Sequence, residues 1–189
     1  MTLKARRGAR ISAVSALLLV GIATSAVAAA PVPALTAASS QPSTITASTM
    51  TVAGFRYTGI TTLAQGGGTV RALTFVMSRA SMQGFALAVP CQKVASGLST
   101  QFDLAVPAAA SVASPGAMTV YATEVDYATT DTTVPTPTPP PFRWTVAVPP
   151  PQHLLFADAG TLTGVKIAVT RLDAATLTMN SVRSTSSFC

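Results

Sequence analysis

The sequence predicts an all-β fold, an antiparallel β-sandwich or open half-barrel, preceded by an N-terminal signal peptide. Three observations lead there. Apolar residues alternate with Thr, Ser and Arg at a period of two, as in TVRALTFVM, where Leu73, Phe75 and Met77 share one face between Arg71 and Arg79. Beyond residue 30 no segment sustains a 3.6-residue period with capping residues; the Ala-rich PAAASVAS is the best short helix and reads better as a loop. The chain's 14 Pro and 12 Gly punctuate it into runs of strand length.

The opening segment places Lys4, Arg6, Arg7 and Arg10 ahead of an uncharged run from Ile11 to Ala30 that ends in small residues around Ala26-Val27-Ala28. That is the pattern of an export signal with a small-residue cleavage site, and residues 1–30 are assigned to it. A retained anchor is the alternative, but Ser, Thr and Gly dilute the apolar run. Gly8 and Ala9 follow the Arg pair where a twin-arginine signal carries bulky apolar residues, which favours the general secretory route. No cysteine follows the apolar run to accept a lipid, and no second hydrophobic span appears.

Four of the 12 Lys and Arg lie in that leader, leaving eight bases against 6 acids in the remainder. The basic pI therefore says little about partners. The eight are scattered, with no basic run to follow a phosphate backbone, so nucleic-acid binding is not expected. Only 10% of the chain is charged, and Thr and Ser must supply most of the outer face. An exported chain with an even pair of cysteines, Cys91 and Cys189, predicts a disulfide; free thiols or an intermolecular bridge are the alternatives.

Along the chain, residues 31–43 (PVPALTAASSQPS) read as a flexible Pro/Ser/Thr/Ala linker, and residues 44–189 as one all-β domain. ITASTMTVAGFRYTGITTL and TVRALTFVM form a hairpin around the glycines at Gly66 to Gly68. FALAVP, FDLAVP and WTVAVP, from Phe85, Phe102 and Trp144, share one grammar: apolar residues at positions one, three and five, and a proline that ends the strand. In MTVYATEVDYATT the apolar parity shifts from Met118 and Val120 to Val125 and Tyr127, which predicts a β-bulge near Ala122. A Pro-rich loop, 134–141, and a second run, Pro149 to Pro151, flank a short strand, Phe142 to Val148, expected at an edge or crossing between sheets. Val165, Ile167 and Val169, a turn at RLDA, then Ala175, Leu177 and Met179 read as a closing hairpin.

Candidate chemistry is sparse. The sole histidine, His153, could be imagined with Asp158 and a serine, but no nucleophile elbow is present and no catalytic residue is assigned. Glu124 and Asp126 share a strand face and read as a solvated pair; with so few acids and one His, no metal site or cofactor is predicted. Trp144, Tyr121, Tyr127 and Phe142 are the candidate ligand surface, for an apolar or glycan ligand, against the plainer reading that they are core.

The leader, ITASTMTVAGFRYTG, the Pro-rich arm, and DAGTLTGVKIAV with DAATLTMNSV resemble secreted hypothetical proteins of high-G+C actinobacteria. The resemblance implies export and a domain of unknown function, and supplies no functional residues. The expected function is a secreted, non-enzymatic cell-envelope or extracellular protein, structural or interacting; the alternatives are a carrier of lipid or another apolar ligand, and a secreted hydrolase.

Overall fold

The structure, a computed structural model, describes residues 32–65, 68–93, 99–130, 142–150, 155–156, 159–179 and 181–189. The leader, the Pro-rich loop 134–141, His153 and Asp158 lie outside the described residues. Among those described there is no helix, and every strand pairing is antiparallel.

Thirteen strands form one hydrogen-bonded sheet. They are β1 (Val32–Ala53), β2 (Phe55–Gln65), β3 (Gly68–Met77), β4 (Arg79–Gln83), β5 (Ala86–Lys93), β6 (Ser99–Ala105), β7 (Ser111–Ser114), β8 (Met118–Tyr127), β9 (Thr129–Thr130), β10 (Phe142–Thr145), β11 (Leu155–Phe156), β12 (Gly160–Met179) and β13 (Arg183–Phe188). Most breaks between them are bends, so the topology reduces to four long runs. The run β1–β2 pairs with β3–β4–β5, that with β6–β7–β8, and that with β12–β13. β12 then returns to β1, with Thr51 opposite both Ser81 and Thr161, and the sheet closes on itself like a small barrel. Its ends splay into two flaps, bounded by β11–β2 and by β13.

A sheet folds across its own strands only where the backbone can turn, and here two transverse rows of small residues mark the folds. In the first, Gly84 lies against Ser48, Ser48 falls opposite Gly164, and Gly164 packs on Ala128. In the second, Gly54 lies against Ser78, and beyond it Ala117 accepts a 3.1 Å bond from the amide of Ala175. Gly54, Gly84 and Gly164 all adopt φ of +59°. A Cβ on Gly54 or Gly84 would sit 2.7 Å from the facing serine Oγ, and one on Gly164 3.0 Å from the Ala128 Cβ. Those two serines complete the bend by donating 2.9 Å hydrogen bonds, Ser78 Oγ to the Ala53 carbonyl and Ser48 Oγ to that of Gln83.

The consequence for packing is regular. Within a straight strand, buried residues recur every second position; at a row the step becomes three, from Ala47 to Met50, Val52 to Phe55, Met77 to Ala80, Met82 to Phe85, Leu162 to Val165 and Ala174 to Leu177. The extra residue lets each strand turn the corner with its apolar side still facing inward, as strands do when they pass from one layer to the next. Ser48…Gly54-Phe55 and Ser78…Gly84-Phe85 are the same spacing used twice, and the two copies face each other across the β1–β4 ladder, related by a local two-fold at Thr51 and Ser81.

The core is one cluster with an aromatic and a largely aliphatic end. Phe55, Tyr57, Phe75, Tyr127, Phe142 and Trp144 fill one, and Ile45, Met50, Met82, Phe85, Met118, Ile167 and Leu177 the other. The outer face carries exposed Thr46, Ser48, Thr51, Arg56, Thr58 and Thr62, the Thr-rich surface the composition requires.

The expected bulge near Ala122 is present. Ala168 faces Glu124 and Val169 faces Ala122, leaving Thr123 extra. The hairpin of β2 and β3 is present too, with Gln65 opposite Gly68. Four expectations are corrected. The segment expected as a linker, residues 31–43, is strand from Val32 onward: Val32 to Ala38 pair with Leu177 to Arg171, and Ser43 is buried opposite Val169. Small residues that look too slight to order a segment alone are ordered here by a ladder with β12. RLDA is no turn, because β12 continues through it with Arg171 and Asp173 paired at 2.9 Å on its outer face. Pro90 does not end its strand but sits where β5 slips register against β6, between Val89 and Gln92, a bulge that needs no amide donor. The strand at Phe142 stops at Thr145, where the Val148 amide donates back to the Thr145 carbonyl at 3.1 Å and forms a turn.

Replacing Gly54 or Gly84 by Ala is expected to cost about 1–3 kcal/mol, from the left-handed backbone and the clash with the facing serine together. Gly68→Ala, where the backbone is ordinary and the nearest atom is 3.8 Å away, should stay within about 0.5 kcal/mol of the parent. Urea denaturation of the three variants checks the contrast.

Candidate functional site

Of the four aromatics read as either ligand surface or core, three are buried and packed against one another. Tyr127 stacks on Phe142 with ring centroids 4.7 Å apart and meets Trp144 edge-on at 5.1 Å; Trp144 continues to Phe75 at 6.3 Å. All three are buried, because β10 lies along β8 with Phe142 opposite Tyr127 and Trp144 opposite Val125. Burial raises the Tyr127 phenol well above its ordinary pKa, and its hydroxyl has no hydrogen-bond partner. Tyr121 is separated from them by the Thr123 bulge, which puts it on the outer face. There the Arg171 guanidinium lies 5.5 Å from its ring centre. The four residues do not converge on one surface.

Among the described residues the best-formed voids are small. Two voids of about 20 Å³ each lie in the core, one bounded by Met50, Phe75, Val125 and Trp144 among others, the second by Ile45, Met82, Phe85 and Met118. Each holds roughly one water molecule, against the several hundred Å³ of a small-ligand pocket.

The densest group of charges is on the outside, where β8, β10 and β12 lie side by side. Arg143 Nη2 donates to Glu124 Oε2 at 2.7 Å, and its Nε is 3.7 Å from Asp126 Oδ1; Lys166 faces Asp126 from β12. The arrangement follows from register, since Arg143 opposes Asp126 and Thr145 opposes Glu124. The hydrogen bond from Arg143 holds the Glu124 carboxyl below its usual range, whereas burial, followed by the charge of Glu124, raises that of Asp126. One carboxylate is thus neutralised by a guanidinium and the other inclined to keep its proton. That asymmetry could serve acid–base chemistry, but the core voids lie on the opposite face of the sheet, and Arg143 and Lys166 already balance the two acids. Among the described residues no group of three or more His, Cys, Asp and Glu is placed to hold a metal ion.

Cys91 and Cys189 are joined, with Cα atoms 6.1 Å apart and a sequence separation of 98, as expected from the even pair. The bridge crosses the outer flap: Cys91 is in β5, while the Cys189 amide donates to Ser99 of β6 at 3.0 Å. Closing a loop of this length stabilises the fold by up to roughly 4–5 kcal/mol in the chain-entropy account, and it fastens β13 to a sheet on which every residue of that strand is exposed. No helix among the described residues is long and apolar enough to cross a membrane. Comparison with family models, with curated proteins and with solved structures finds no match.

The two acids respond to pH in opposite senses. Glu124, with its folded pKa lowered, contributes stability that is present above its unfolded pKa and lost as pH falls through the folded value. Asp126, with its folded pKa raised, imposes a cost when ionised that disappears as it protonates on acidification. Carboxyl ¹³C titration should show Glu124 titrating below a free glutamate and Asp126 above a free aspartate. Arg143→Gln should move Glu124 upward; an unmoved midpoint would show that the guanidinium does not set it.

Proposed function

We propose that this chain is an exported, non-enzymatic module of the cell envelope or extracellular space with a structural or interaction role. The observation that carries the reading is the filled core. The aromatics best suited to grip an apolar molecule are packed against one another, and the voids beside them hold about one water each. A carrier of lipid draws no support from such an interior. Export is supported by the leader read from the sequence and by the Cys91–Cys189 bridge, which belongs to an oxidising compartment. The outer face is rich in Thr and Ser with scattered charges, suited to contact and solvation.

Native mass spectrometry of the protein secreted by its own host tests this reading. The expected species lacks the leader, carries one disulfide and retains no small molecule. A lipid or other apolar ligand retained at one copy per chain would establish a carrier, and an intact leader with free thiols would place the protein elsewhere.

A further inference from the structure

We propose that the open edge of β13 is a self-association surface, on which a second copy of this chain adds its own β13 in antiparallel register. The inference rests on the interaction-module reading above and names the partner. Among the described residues β13 is the last strand in the sheet order and pairs only with β6. The Cys189 amide points to Ser99 of β6, so the odd-numbered residues of β13 bond inward. The amides and carbonyls of Ser184, Ser186 and Phe188 then point to the open side, since antiparallel strands alternate their bonding edge. Natural edges are usually blunted by Lys, Pro or a bulge. RSTSSF contains no Lys or Pro, and its register with β6 runs without a shift.

The side chains choose the occupant. Among the described residues the large apolar side chains left exposed are Ile60, Val148, Val182 and Phe188, and two of these four belong to this edge. Phe188 is 78% exposed. Val182, Ser184, Ser186 and Phe188 point to the face that carries half-buried Phe102 and Leu104 of β6. With a two-fold axis at Thr185, Ser184 meets the partner's Ser186, Arg183 meets the partner's Ser187, and Phe188 lies on the partner's Val182, at both ends of the pair. Moving the axis one residue to Ser186 sets Phe188 on a serine, and moving it to Ser184 sets Phe188 on Asn180. Only the Thr185 register covers both apolar side chains and uses the outward-pointing amides for its hydrogen bonds. A six-residue ladder buries less than the roughly 1,200 Å² of a standard stable interface, so the dimer forms at micromolar concentrations or above.

Sedimentation velocity on the exported, disulfide-bonded chain, over a series from about 1 to about 300 µM, should show the weight-average mass rising toward two copies. Ser186→Pro removes an outward amide and puts a ring on the open edge while leaving the bonds to β6, and should sediment as a monomer throughout. Register is read by cross-linking. Thr185→Cys places two thiols on the axis at a non-hydrogen-bonded pair about 4.5 Å apart between Cα atoms, and should give a covalent dimer on oxidation. Ser187→Cys should not. A parent chain that stays monomeric at every concentration, or equal cross-linking by the two cysteine variants, overturns the proposal. A monomer free of bound ligand would refute self-association and leave the non-enzymatic reading intact, whereas a retained ligand would refute that reading whichever mass is found.

Discussion

The structure depends on one geometric constraint: strands of 22 and 20 residues must bend across their own length without turning their apolar side outward. Ordinary strands are a third to a quarter as long, and a flat sheet of this extent could not enclose a core. The answer is a pair of rows in which three of the four runs, β1–β2, β3–β4–β5 and β12, take one extra residue, and in which the facing residue is Ser, Ala or Gly. Two of the glycines, Gly54 and Gly84, occupy left-handed backbone directly against a serine, so the rows need both the conformational freedom and the missing Cβ.

Everything inside follows from those folds. Once the sheet doubles over, β12 meets β1, and the aromatic side chains of β2, β3, β8 and β10 pack on one another and on the aliphatic residues around them. Ring pairs of this kind contribute about 0.5–1.5 kcal/mol each beyond the area they bury. This places them in the core, whereas the ion pairs lie on the outer face. The disulfide acts at the other end of the hierarchy: it fastens β13, whose residues are all exposed, beside β6, whose Leu104 packs against the core.

Much of this was legible from residue order. Alternation over Leu73, Phe75 and Met77 located a strand, the slip between Val120 and Val125 located a bulge, and the two cysteines located their bridge. What alternation could not convey was the three-residue step. At Leu162 to Val165 a period-two reading starts the strand only at Val165, because it treats a lost beat as a break. The same error turned RLDA into a hairpin, although the lost beats there are a bulge at Thr170, whose hydroxyl bonds the Tyr121 carbonyl at 3.0 Å, and a corner at Ala175. The signal that would have corrected it was present: an apolar residue, one spacer, Gly, then an apolar residue, in VAGF, MQGF and LTGV. The linker at 32–43 was misread for a different reason, since its order is supplied by β12 from a distant part of the chain. The aromatic cluster was read as either surface or core, and only the closure of the sheet decides between them.

The closure itself is open to direct observation. Cross-strand nuclear Overhauser contacts should appear together at all four seams: Thr51 with Ser81, Ser81 with Ala113, Ala113 with Thr178, and Thr51 with Thr161. The account predicts every one of them in a single folded species. A spectrum of the folded protein in which three seams are seen and the fourth is absent would show a sheet that curls without closing, and would contradict the fold on which the rest is built.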